Sequence, residues 1–244
     1  MKLNILGSNS SGNGYVIQNE NEALILECGF RFQEVQKVLN FNTQKVVAAL
    51  VSHEHGDHAK FVKEYKTRGI QIFASAGTLA KLKIEGSKNT MQHTKKMKIG
   101  NFTILPFNVK HDCAEPLGFF IHHPEMGNLV FATDTYYLPY TFDDVQHWLI
   151  ECNYRKDILD KNCPKGSFKK ILRDRTLQSH MSYETCEKAL LSNDLTPAKN
   201  IILIHLSDGN SNAAEFKRDI ERSTGKLTFV ADRNMEINLS KNGF

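Results

Sequence analysis

Six consecutive residues, His53, Glu54, His55, Gly56, Asp57 and His58, follow the apolar run Val46 to Val51 with only Ser52 between them. Three imidazoles and two carboxylates in so short a stretch are hard to explain as packing. Neutral imidazole suits zinc, copper, iron or nickel, and a carboxylate adds the hard ligand that a hydrolytic site needs. The preceding run, β-branched and bounded by polar residues, reads as a buried strand that ends at the motif and delivers its donors on a short loop. His53 and His55, two apart in extended chain, point the same way and can grip one ion. Gly56 lets the backbone turn, so that Asp57 and His58 can face a second. Asp57 stands at the entrance to a helix, because Phe61, Val62 and Tyr65 recur at helical spacing. The competing reading is a solvated His-rich turn.

The chain has 244 residues, enough for one or two domains and a substantial core. Its apolar stretches have strand length, far short of the roughly 20 residues that span a bilayer. The segment from Met1 to Gly7 lacks the pattern of a signal peptide. The five cysteines are Cys28, Cys113, Cys152, Cys163 and Cys186, odd in number and scattered, as expected of reduced thiols in the cytoplasm. A formal charge of +4 permits a polyanionic substrate without demanding one. Lysines gather at Lys81, Lys83, Lys88, Lys95, Lys96 and Lys98, either a solvated face or a phosphate contact. The small-residue loop from Gly7 to Gly14 is either a turn or an anion-binding nest.

One pattern repeats along the chain. An apolar strand is followed at its C-terminal end by His, Asp or Glu, at Glu27, His53, His111, Asp134, Glu151 and His205. Six such placements predict two strand-rich halves that bring their loop ends to one edge, with helices outside. Ser75 is placed as the N-cap of a helix to about Lys83, and Ser182 as the cap of one to about Leu191. No linker divides residues 1–244, so a single domain is expected.

His-x-His-x-Asp-His after an apolar strand resembles the signature of the metallo-β-lactamase superfamily, which implies an αββα sandwich. The resemblance implies two divalent metal ions, zinc being favoured and manganese or iron tolerated. His53, His55 and His111 would hold the first ion, Asp57, His58 and His205 the second, and Asp134 would bridge them. Ser179-His180-Met181-Ser182, with the helix, strand and His205-Leu206-Ser207 that follow, resembles the closing segment of RNase Z-like enzymes. That likeness makes His180 a general acid supported by Glu151, with Asp57 orienting the attacking water or taking its proton. The competing reading of His180 is a neighbour of the helix cap.

Further segments, Ser10 to Tyr15, His111 to Phe119 and Glu151 to Asn153, are similar to the small exonuclease branch related to RNase Z. The implied activity is hydrolysis of phosphodiesters at DNA or RNA ends, with nucleic acid as partner and no membrane. The alternative is a hydrolase of a small ester, thioester or cyclic nucleotide at the same centre; a third reading is a non-catalytic binding module. Two departures stand out. Glu27 replaces the usual Asp of the family, and the stretch between Asp134 and His180 is too short for the insertion domain of larger nuclease relatives. No long arm for transfer RNA is present, which argues against tRNA maturation.

Overall fold

A computed structural model describes residues 1–84, 89–162 and 169–241, the side chain of Lys169 excepted. Lys88 and Cys163 therefore lie outside the described residues. The chain divides into two compact units. The first comprises residues 1–108, 113–127 and 231–244, and the second residues 109–112 and 128–230.

In the first unit the chain runs β1 (Lys2–Asn9), β2 (Gly12–Gln18), β3 (Ala23–Leu26), α1 (Phe32–Val38), β4 (Val46–Leu50), α2 (Gly56–Ala59), α3 (Val62–Thr67), β5 (Ile72–Ser75), α4 (Ala76–Leu82) and β6 (Thr90–Met91). The strands form a mixed sheet in the order β1-β2-β3-β4-β5-β6, with residues Glu236–Asn238 antiparallel on the outer side of β1. β1, β2 and β3 are antiparallel, whereas β3 through β6 are parallel. Ile25, Ala49, Val51, Phe32, Val35 and Tyr65 meet in one apolar cluster beneath α1 and α3. Each large side chain removed from water there contributes about 1.5–3 kcal/mol. Ser75 caps α4 by accepting from the Thr78 amide at 3.1 Å, as its sequence position predicts.

The Gly7–Gly14 stretch is a hairpin rather than an open loop: β1 runs to Asn9 and β2 starts at Gly12. Its glycines seat the Phe30 ring, since a Cβ at Gly7 would collide with that ring. Later in the same unit, β7 (Met97–Ile99), β8 (Phe102–Asn108) and β9 (Leu117–His123) pair antiparallel.

The second unit carries β10 (Gly127–Ala132) from its second residue on, β11 (Val145–Glu151), α5 (Lys156–Lys161), α6 (Lys169–Ser179), α7 (Tyr183–Leu191), β12 (Asn200–Ile204), α8 (Ala213–Thr224) and β13 (Leu227–Val230). β10 to β13 are all parallel neighbours. Trp148, Leu149 and Ile150 of β11 are fully buried, the continuous apolar run of a parallel strand covered on both faces. Ser182 caps α7 through the Thr185 amide, and α8 ends at Gly225 in the left-handed region. α5 and α6 have no counterpart in the sequence reading. In α6 the bulky apolar residues Ile171 and Leu172 are exposed, so no buried stripe marks the helix.

Candidate active site

The first unit delivers its donors on one loop. β4 ends at Leu50, and Val51 and Ser52 carry the chain to His53. The His53 ring lies 4.7 Å from that of His55 and 4.2 Å from that of His58, centroid to centroid. Asp57 Oδ2 is 3.2 Å from His58 Nε2. Both residues sit in α2, as the glycine-turn reading expects.

Buried Glu27 organises this loop from the end of β3. Its carboxylate accepts from the Ser52 amide at 3.2 Å and faces His58 Nδ1 at 3.5 Å. Burial pushes the Glu27 carboxyl above its usual range, against the pull of His58 and Ser52. Glu27 occupies the left-handed region at φ 68°, a strained setting for a residue with a side chain. Gly29, two residues on, must lack a Cβ because one would collide with the Asp57 carbonyl oxygen. Asn13, buried on β2, points Nδ2 at Asp57 Oδ2 (3.2 Å) and at His58 Nε2 (3.1 Å). Sequence reasoning singled out the Gly7–Gly14 loop but not this side chain, since one asparagine among small polar residues carries no distinguishing signal.

The second unit gathers its donors from separate elements. Ala132 of β10 pairs with Ile150 of β11, and Ile150 with Leu203 of β12. The three parallel strands thus end level, and Asp134, Glu151 and His205 emerge at one carboxyl edge, where ligands of open parallel sheets bind. Asp134 and His205 both adopt left-handed backbone, at φ 47° and 55°, immediately past their strands. Such conformations cost about 1–3 kcal/mol each and cluster at functional sites.

One ligand atom from each of Asp134, Glu151, His180 and His205 lies within 4.8 Å of the others. His180 Nδ1 is 2.7 Å from Glu151 Oε1, and His205 Nδ1 is 3.2 Å from the same oxygen. The other Glu151 oxygen accepts from the Thr135 amide at 2.8 Å and the Met181 amide at 3.2 Å. Burial opposes ionisation of Glu151, but the His180 charge and the hydrogen bonds with His180 and His205 hold its pKa below the usual carboxylate value. Burial likewise pulls His180 down, yet the Glu151 charge and hydrogen bond raise it above the ordinary imidazole value. His111 stands against Asp134, Nε2 to Oδ2, at 3.4 Å. Its Nδ1 lies 2.8 Å from the Ser179 carbonyl oxygen, so Nδ1 carries the proton and Nε2 keeps its lone pair on the Asp134 side. Asn153, which donates to the His205 backbone carbonyl at 2.7 Å, is a further support.

The chemistry of both donor sets fits divalent transition metals: buried imidazoles, carboxylates at hydrogen-bonding distance, and ring nitrogens oriented by second partners. Among the described residues no helix is long and apolar enough to cross a membrane.

Comparison with known proteins places this geometry in a family. The description "Beta-lactamase superfamily domain" matches residues 24–206. Exodeoxyribonuclease WalJ of Streptococcus pneumoniae is 27% identical over 228 residues, covering 86% of this chain and 83% of that protein. Exodeoxyribonuclease YycJ of Bacillus anthracis is 26% identical over 234 residues, covering 86% and 84%. The crystal structure of the metallo-beta-lactamase fold protein YhfI from Bacillus subtilis superposes with a TM-score of 0.71 at 16% identity, covering 97% of this chain and 99% of that one. The αββα metallo-β-lactamase fold class expected from the sequence is therefore the fold of this protein. The chain belongs to the beta-lactamase superfamily, a superfamily of metal-dependent hydrolases, and is an enzyme of that kind.

Proposed function

We propose that the protein is a metal-dependent phosphodiesterase that acts as an exonuclease on DNA ends, with residues 1–244 working as one cytoplasmic domain. Its ligands for two divalent ions, zinc by preference, are His53, His55, Asp57, His58, His111, Asp134 and His205. When bound, such a pair activates water and neutralises charge on the phosphoryl group. Asp57 orients the attacking water or takes its proton, and Asn13 fixes the Asp57 carboxylate. His180 protonates the departing oxygen.

The observation that carries this reading is the 2.7 Å contact between His180 and Glu151, in the same cluster as Asp134 and His205. A general acid must hold its proton until the leaving group needs it, and against the pull of burial the Glu151 charge and hydrogen bond raise the His180 pKa above the ordinary imidazole value. An alkoxide leaving group needs such an acid, and a phosphodiester of a nucleic acid releases one. The exodeoxyribonuclease relatives support DNA as the substrate.

The test pairs metal analysis with assays on end-labelled single- and double-stranded DNA and RNA and on a bis-aryl phosphodiester. Release of short products from DNA ends is expected. Hydrolysis of the small diester by fully metallated protein, with no nucleic acid cut under any condition, would leave the small-substrate hydrolase in its place.

A further inference from the structure

Two tyrosines, Tyr136 and Tyr137, follow Asp134 with only Thr135 between, and their side chains are out of the core at 43% and 52% exposure. Tyrosine, apolar in its ring and polar at its tip, is enriched where a partner covers it. The segment that carries them is firmly held. The Thr135 amide donates to Glu151, and the Thr135 hydroxyl donates to the Tyr137 carbonyl oxygen at 2.7 Å. The Lys110 amide donates to the Thr135 hydroxyl at 2.9 Å, and the Tyr136 amide donates to the Lys110 carbonyl oxygen at 3.2 Å. The rings are thus displayed on backbone tied to the same carboxylate that holds His180. Exposed Lys110 brings a cation to the same pair of segments.

Two residues of chain span at most about 7 Å and three about 11 Å, so the backbone that carries both rings stays within a nucleotide's length of Asp134. A phosphate placed at Asp134 and His180 has its base a few bonds away on the sugar. Aromatic side chains accept any base on their π-faces, which gives affinity without sequence preference. An enzyme that works at strand ends needs that tolerance.

We infer that Tyr136 and Tyr137 form a stacking platform that receives the unpaired terminal bases of a DNA strand and sets the register of its end at Asp134 and His180. The inference rests on the exonuclease reading above.

The experiment compares two end-labelled oligonucleotides, one natural and one with its two terminal nucleotides abasic at the digested end. The metallated wild type is set against the double variants Tyr136→Leu/Tyr137→Leu and Tyr136→Phe/Tyr137→Phe, each checked for an unchanged melting temperature. In the wild type, removing the bases should raise KM at least about 5-fold, the low end of stacking per base. The Leu variant should lose that difference and the Phe variant, which keeps the π-faces, should retain it. Equal penalties for the abasic end in wild type and Leu variant overturn the platform while the exonuclease reading stands. Wild type that cuts the small diester but neither oligonucleotide overturns the exonuclease reading, and the platform with it. Should the Leu variant not fold, Tyr136→Ser and Tyr137→Ser taken singly serve the same comparison.

Discussion

The two units solve one problem, presenting side chains that could hold a metal ion, in opposite ways. In the first, His53, His55, Asp57 and His58 sit on one loop and the start of a helix, so chain spacing alone brings the rings of His55 and His58 within 5 Å of that of His53. In the second, His111, Asp134, Glu151, His180 and His205 come from separate stretches of chain, and only the parallel register of β10, β11 and β12 brings the strand ends level. A local donor set survives small shifts of the sheet. A dispersed set depends on every strand, and each of its imidazoles is held by a second residue: His111 by Ser179, His180 by Glu151, His205 by Asn153.

The sharpest break of this contrast is Asp134→Ala, which removes the one carboxylate assigned to both ions. Turnover should fall to background and metal content from about two equivalents to below one, measured by elemental analysis. Full metal retention in that variant would show that Asp134 is not a shared ligand.

Next in size, His180→Ala should keep its metal and lose about 10²–10⁴-fold in turnover on DNA, the range of a general acid. Metal loss instead would make His180 a ligand and remove its acid role.

On the other side of the comparison, Glu27→Gln disturbs a residue behind the loop, and a loss of about 10–100-fold in metal affinity is expected. Glu27→Asp, which keeps the carboxyl group, should recover most of it. A titration with a competing chelator decides; equal affinities in wild type and Gln variant would mean the loop holds its own geometry.

A smaller effect concerns Lys95, Lys96 and Lys98, all exposed, the first two just before β7 and the third within it. Changing the three to Glu should weaken DNA binding and flatten its salt slope by up to about 3 units. An unchanged slope would mark them as a solvated face.

The smallest lies away from both donor sets. Glu22 is buried, accepts from the Asn101 amide at 3.0 Å and side chain at 2.6 Å, and lies 3.0 Å from His123 Nε2. Burial raises its pKa, but these bonds win and leave it below the usual value. A depressed folded-state pKa gives stability that is present above the unfolded value and lost as pH falls through the folded one. Melting curves from pH 7 to below 4 should thus show a steeper acid-side decline in wild type than in Glu22→Gln.

Much of this protein was legible in the sequence because its signals are local. The strand of Val46 to Leu50 and the caps at Ser75 and Ser182 follow from apolar runs and side-chain chemistry within a few residues. So do the strand ends at Glu27, Asp134, Glu151 and His205. The hexapeptide declared its chemistry in the same way. The His180–Glu151 pairing was available only through resemblance, since 28 intervening residues separate the two and no spacing rule reaches across them. Asn13 against Asp57, Ser179 setting the His111 tautomer, and Phe30 seated on three glycines were not legible at all. Nor was α6, whose exposed Ile171 and Leu172 give no amphipathic stripe. Sequence determined which groups exist and which local elements carry them. Tertiary structure decided which groups meet, because side-chain hydrogen bonds act over about 3 Å and only the packed sheets bring distant residues that close.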